Sequence, residues 1–334
     1  MRSSPLVLLC LLAPAMPAHG CTTNKRAHPQ DELLLGAYTA PREALERAII
    51  PRFRDTWWRE TGRELMVRAS YLGSGAQARA VTDGFPADVV MLALEPDVDK
   101  IVKRGLIAPD WRERTGNRGI VARTLVVIAV RKGNPKRIAD FADLARPGLE
   151  VLTPNPRTSG GAMWNLLAMY GSAPAGEAGA LLRAVSRNVV VMDKGARESL
   201  VNFERGIGDA AITYEQEVHV ALMGGRRYDY VVPPVTMAIE IPAAVVDQNV
   251  DARGTRAVAE RFVAFLRSEE AQFLIRDFGF RPAEGDLHVP DPRFQPPQRV
   301  LYINDMGGWT EAVPRFFGPK GIITRLLEEG HASR

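Results

Sequence analysis

Three short runs of small residues carry the chemistry that can be read from this chain. They are Gly73-Ser74-Gly75, Thr158-Ser159-Gly160-Gly161-Ala162 and Lys194-Gly195-Ala196. Each lies between a segment patterned as a strand and one patterned as a helix. A helix start leaves its first backbone N–H groups unpaired and carries a partial positive charge. Small residues let an anion approach that backbone closely. One such junction is weak evidence, because glycines also serve ordinary strand–helix turns. Three in one chain, two of them with a serine, fit a small oxyanion held by converging N–H groups.

The remaining reactive residues point away from catalysis. The five histidines are His19, His28, His219, His288 and His331, and only His219 falls inside the patterned body, where it reads as a solvated or packed residue. A Ser–His–Asp triad therefore has little material, and neither Ser74 nor Ser159 sits in a Gly-x-Ser-x-Gly elbow. There is no His-Glu-x-x-His motif and no cysteine pair that would hold a metal. Tyr228 and Tyr230 read as packing residues rather than iron ligands. The expectation is a binding protein, not an enzyme, with no cofactor and no metal.

The elements that must position the three loops alternate along the chain. Strand patterning covers Leu33 to Ala37, Leu65 to Leu72, Ala87 to Leu94, Thr124 to Val130, Leu149 to Thr153, Asn188 to Met192, Ala210 to Tyr214 and Tyr230 to Pro233. Ala87 to Leu94 is the continuous apolar kind that is buried on both faces. Helical spacing runs from Pro41 to Arg63, with Pro51 expected to kink or divide it, and recurs at Gly75 to Asp83 and Ala257 to Leu266. This alternation argues an α/β fold with largely parallel sheets and crossover helices. A length of 334 residues suits two domains.

Composition excludes several classes. Lys and Arg number 43 against 39 Asp and Glu, a net charge of +4 without a basic block, so nucleic acid is not an expected partner. Both cysteines, Cys10 and Cys21, lie near the N-terminus, so no disulfide framework exists. Arg2, the apolar run Pro5 to Ala15 and the small residues at Ala18 and Gly20 make residues 1–20 an export signal. Cleavage would leave Cys21 first, as in the lipobox of bacterial lipoproteins, and Cys21 is the expected lipidation site. Residues 21–31 read as a tether, and Glu328 to Arg334 as a frayed end. The protein is expected to be exported to the periplasm and to touch the membrane only through that lipid.

Longer motifs carry a family resemblance. Gly73-Ser74-Gly75-Ala76-Gln77, the run Ala87 to Leu94, Val130-Arg131-Lys132-Gly133-Asn134-Pro135 and above all Thr153-Pro154-Asn155-Pro156-Arg157-Thr158-Ser159-Gly160-Gly161-Ala162-Met163-Trp164-Asn165 resemble the sulfate- and thiosulfate-binding proteins of ABC importers. Gly195-Ala196-Arg197, Arg205 to Asp209 and Gly307-Gly308-Trp309 extend the likeness from about Leu35 to about Leu327. The resemblance implies a two-lobed periplasmic binding protein of type II, each lobe a mostly parallel sheet flanked by helices, closing like a hinge on an anion. Lobe one would comprise 32–116 and 234–296, lobe two 117–233, and 297–334 would pack across them. The implied partners are sulfate or thiosulfate and the permease subunits of an ABC importer, with the protein a monomer. Molybdate or tungstate, or an anion sensor without a transport role, are the alternatives.

The resemblance also implies site residues. Backbone N–H groups of Thr39, Ser74, Gly160, Gly161 and Ala196 and the Ser159 hydroxyl would bind the anion. Two positions depart from the family pattern. Thr39 replaces an aspartate, and Tyr214 replaces a tryptophan whose indole N–H donates. A tyrosine hydroxyl can donate but can also accept. Sulfate only accepts at neutral pH, so a cleft of donors suits it, whereas hydrogen phosphate brings a proton that needs an acceptor. The family positions contain no acidic side chain, which argues sulfate or thiosulfate over phosphate. Arg79, Arg157 and Arg197, near the loops, read as solvated charges.

Overall fold

The computed structural model describes residues 30–156 and 158–332. The export signal, Cys21, most of the tether and Arg157 lie outside the described residues. Ten strands form the framework: β1 (Gln30–Tyr38), β2 (Glu64–Leu72), β3 (Val89–Met91), β4 (Ile120–Val130), β5 (Val151–Pro154), β6 (Val189–Asp193), β7 (Ala210–Tyr214), β8 (Asp229–Val231), β9 (Val235–Val245) and β10 (Arg299–Leu301). The strand order is β2-β1-β3-β9-β4-β7-β5-β6, with β10 added on β9 and β8 on β4.

The two ends of this order are parallel, as the alternation of strands and helices requires: β1 runs parallel to β2 and β3, and β5 parallel to β6 and β7. The middle departs from the largely parallel expectation. β9 is antiparallel to β3 and β4, and β4 is antiparallel to β7 and β8. The reason lies in the two long strands. β4 pairs with β9 through residues 120–125 and with β7 through 126–130. β9 pairs with β10 through 235–237, with β4 through 238–242 and with β3 through 243–245. Each long strand thus leaves one half of the molecule and enters the other. All eleven residues of β4 are buried, which their apolar run Leu125 to Val130 allows.

Local sequence explains where the elements break. A π-helical turn, Leu45–Ile49, runs straight into the helix Ile50–Thr61, with Pro51 just after the change from π to α. Proline does not divide the segment, which stays helical from Arg42 to Thr61; the π-helical turn just before it takes up the strain instead. Two boundaries differ from expectation. The tether ends before Gln30, because Gln30 and Asp31 already pair with Glu64 and Leu65. The chain end is helical over Ile322–Ala332 rather than frayed from Glu328, because Ile323 and Leu326 bury their side chains beside Leu182 and Val185. His219 is packed: its ring stacks on Phe294 at 4.8 Å, and burial, with Arg293 and Arg281 adding to it, lowers its pKa to about 4. Tyr228 likewise packs edge-on against Phe203 at 5.5 Å. No helix among the described residues is long and apolar enough to cross a membrane.

Candidate anion-binding site

All three loops are strand–helix junctions. β2 ends at Leu72 and a helix starts at Ser74; β5 ends at Pro154 and a helix starts at Gly160; β6 ends at Asp193 and a helix starts at Ala196. None of the three helices has a side-chain cap from its N-cap residue, Gly73, Ser159 or Gly195. Their first N–H groups are therefore left over: the first intrahelical bonds go from Gln77 to Gly73 and from Ser199 to Gly195.

The fold brings these starts together. The Thr158 hydroxyl donates to the Lys194 carbonyl (3.0 Å), and the Asn155 N–H donates to the Asp193 carbonyl (2.8 Å), tying the second loop to the third. Across the molecule, a Cβ placed on Gly73 would lie 3.8 Å from the Thr158 carbonyl oxygen. A Cβ on Gly160 would lie 2.8 Å from Leu94 Cδ1 and 3.6 Å from Asp97 Oδ2. One residue clamps both sides: Ala93 donates its N–H to Ser74 Oγ (3.0 Å) and accepts from Trp164 Nε1 (2.9 Å).

Each expected residue can be placed. Ser74 Oγ is consumed, because it also donates to Asp97 Oδ2 (2.6 Å); what it has left for a ligand is the backbone N–H. The Ser159 hydroxyl makes no hydrogen bond among the described residues and lies 3.2 Å from where a Gly161 Cβ would be. The Tyr214 hydroxyl lies 2.5 Å from that same position, so Gly161 is the only residue type that fits there without moving the phenol. Tyr214 is buried at the end of β7, and its hydroxyl has no partner. Ala196 opens the third helix. Thr39 follows Tyr38 at the end of β1, and its carbonyl accepts from Arg42 N–H (3.2 Å).

The match to known proteins follows this geometry. Residues 33–281 match the family model described as bacterial extracellular solute-binding protein. A sulfate-binding protein of Synechococcus elongatus is 43% identical, over 89% of this chain and 87% of its own. A thiosulfate-binding protein of Escherichia coli K12 is 33% identical, over 90% and 92%. Among solved structures, the sulfate-binding protein SubI from Mycobacterium tuberculosis H37Rv superimposes with a TM-score of 0.75 at 36% identity, covering 87% of this chain and all of its own.

This chain belongs to the bacterial extracellular solute-binding protein family.

In this solute-binding protein, four charged or phenolic groups beside the loops escaped sequence reasoning. Asp97 is buried and holds both Ser74 and Lys100, the latter at 2.7 Å. Arg197, the second residue of the third helix, is no solvated charge. It makes a two-pronged pair with Glu43 (2.8 and 2.9 Å) from the other half, and its Nε lies 2.6 Å from Glu217 Oε2. Burial pushes the Glu217 carboxyl up to about 7 even against the adjacent arginine. For Glu43, burial acts upward, but the bonds and charge of Arg197 outweigh it and hold its pKa below the ordinary value. Arg79 remains exposed, as expected. The fourth group is Tyr38, whose buried hydroxyl also lacks a partner. The one available signal was Glu217 itself, three residues beyond Tyr214 in a helix start.

Proposed function

We propose that this protein captures sulfate or thiosulfate between its two lobes and delivers it to the permease of an ABC importer. The observation that supports this reading is the closeness of three helix starts without side-chain caps, with the Ser159 and Tyr214 hydroxyls both beside Gly161. The ligand would be held by the N–H groups of Thr39, Ser74, Gly160, Gly161 and Ala196 together with those two hydroxyls. The names of the relatives, sulfate- and thiosulfate-binding, support the same anion class.

Arg197 is no counter-charge for the anion in this reading, because it is spent on Glu43 and Glu217. Helix starts and N–H groups supply the stabilisation instead. Closure would pivot on β4 and β9, with residues 32–116 and 234–296 as one lobe and 117–233 as the other. The chain acts as a binding protein rather than an enzyme, and a lipid on Cys21 would hold it at the membrane. Calorimetry with sulfate, thiosulfate, molybdate and phosphate tests the reading. Sulfate or thiosulfate should bind most tightly; equal or tighter binding of phosphate or molybdate refutes it.

A further inference from the structure

The first and second helix starts come from opposite ends of the sheet, yet one short segment seats both. That segment, Ala93 to Asp97, follows β3 and runs into the helix Glu95–Lys103. On one side it fixes Ser74. The Ala93 N–H donates to Ser74 Oγ (3.0 Å), and Ser74 Oγ donates to Asp97 Oδ2 (2.6 Å). The hydroxyl thus donates and accepts within this segment, which sets the place of the Ser74 backbone.

On the other side the segment receives the helix Gly160–Ser172, which follows β5. Gly160 approaches so closely that an added Cβ would meet Leu94 Cδ1 at 2.8 Å. One turn along the same face, Trp164 is fully buried, and its Nε1 donates to the Ala93 carbonyl (2.9 Å). Its ring meets Trp309 edge-on, at 4.8 Å and 75°. The indole therefore does two separable things: the ring packs, and the N–H holds the peptide that holds Ser74. Thr158 and Asn155 tie the second loop directly to the third, whereas Ala93 and Trp164 tie the first loop to the second. An anion shared between N–H groups of separate helix starts needs those starts at a fixed spacing, because a small displacement lengthens several bonds together.

We propose that Trp164 is a positioning residue for the anion: through the Ala93 peptide, its indole N–H sets the spacing between the Ser74 N–H and those of Gly160 and Gly161. This rests on the reading of the three loops as the sulfate site. The Trp164 N–H is spent on Ala93, so the residue acts through the two helix starts and not on the ligand.

Calorimetry and stopped-flow binding, with sulfate and with thiosulfate, test this on the full protein and on Trp164→Phe and Trp309→Phe. Trp164→Phe keeps an aromatic ring and loses the N–H. It should weaken the tighter-bound anion by about tenfold, mostly through faster release, with association within about twofold. Trp309→Phe leaves the Trp164 bond in place and should keep the affinity within about twofold. Benzothienylalanine at position 164, with sulfur where the indole has its N–H, preserves the size of the ring. It should reproduce the loss, and it keeps the test alive if the phenylalanine variant does not fold. Unchanged affinity in either folded Trp164 variant overturns the proposal. So does an equal loss in Trp309→Phe, which would make ring packing alone responsible. A wild type that binds neither anion overturns the reading of the site, and the proposal with it.

Discussion

Arg281 and the cleft loops bury polar groups in opposite ways. Near the crossover of β4, Arg281 donates twice to Glu215 (2.6 and 2.8 Å), once to the Leu287 carbonyl (2.8 Å) and once to the Gln295 carbonyl (2.9 Å). Its backbone also bridges Arg123 of β4, and Arg123 itself donates to the Pro282 and Gly285 carbonyls. Everything charged there is satisfied from within. At the cleft, the buried Tyr214 hydroxyl has no partner, and the starts of three helices, Ser159 among their N-caps, have no side-chain cap. A satisfied buried charge fixes one arrangement of the chain. Unsatisfied buried donors cost stability and are repaid only when an acceptor arrives.

The sharpest way to break this comparison is to unpair the crossover. Glu215→Ala should lower the free energy of unfolding by about 3–5 kcal/mol, the effect of stranding a buried charge, measured by urea melts. A loss below about 1 kcal/mol would mean that Arg281 finds water and that the region is not the closed network it looks. Burial raises the Glu215 pKa while Arg281 opposes it, so the pair is under tension, and removing either partner alone is the harmful change.

The opposite behaviour is expected at the cleft. Ser159→Ala should leave stability within about 1 kcal/mol, because the hydroxyl caps nothing and holds nothing. It should weaken sulfate binding by roughly ten- to a hundredfold, the loss of one hydrogen bond to a charged group. Calorimetry and urea melts on the same variant separate the two effects. Unchanged affinity would remove Ser159 from the site.

What could be read from the sequence divides along the same line. The three loops were legible because the requirement is local: a small residue at each strand–helix junction, with Gly161 the clearest case. Tyr214 was legible through the family pattern. Asp97, Tyr38, Glu43 and Glu217 were not, because their roles arise from contacts between distant segments. Glu43 and Arg197 are 154 residues apart, and nothing in either neighbourhood marks the other. Arg197 looked like a surface charge because its partners are distant in sequence: Glu217 lies twenty residues on, and Glu43 comes from the other half. The antiparallel centre escaped for a related reason. Local patterning identifies a strand but not its neighbour, and β4 and β9 each change neighbours along their length.

The smallest effect should come from the pair that lies between these extremes. Glu43 and Arg197 have the same two-pronged chemistry as Glu215 and Arg281, but their side chains are 27% and 28% exposed, against 0% and 2% for the crossover pair. Water therefore screens the cleft pair, and a partly exposed ion pair is worth only about 0.2–1 kcal/mol. Glu43→Gln should hardly change the urea midpoint, because Arg197 keeps Glu217. Its effect belongs to the closed form, since Glu43 and Arg197 come from opposite sides of the cleft. Sulfate release, followed by stopped-flow fluorescence, should quicken by about two- to fivefold, the rate equivalent of that energy. Added salt should shrink the difference between wild type and variant, because screening already weakens an exposed pair. A release rate that is unchanged at low salt would show that the cleft donors alone hold the lobes together, and that the arginine at the mouth only fixes the third helix start.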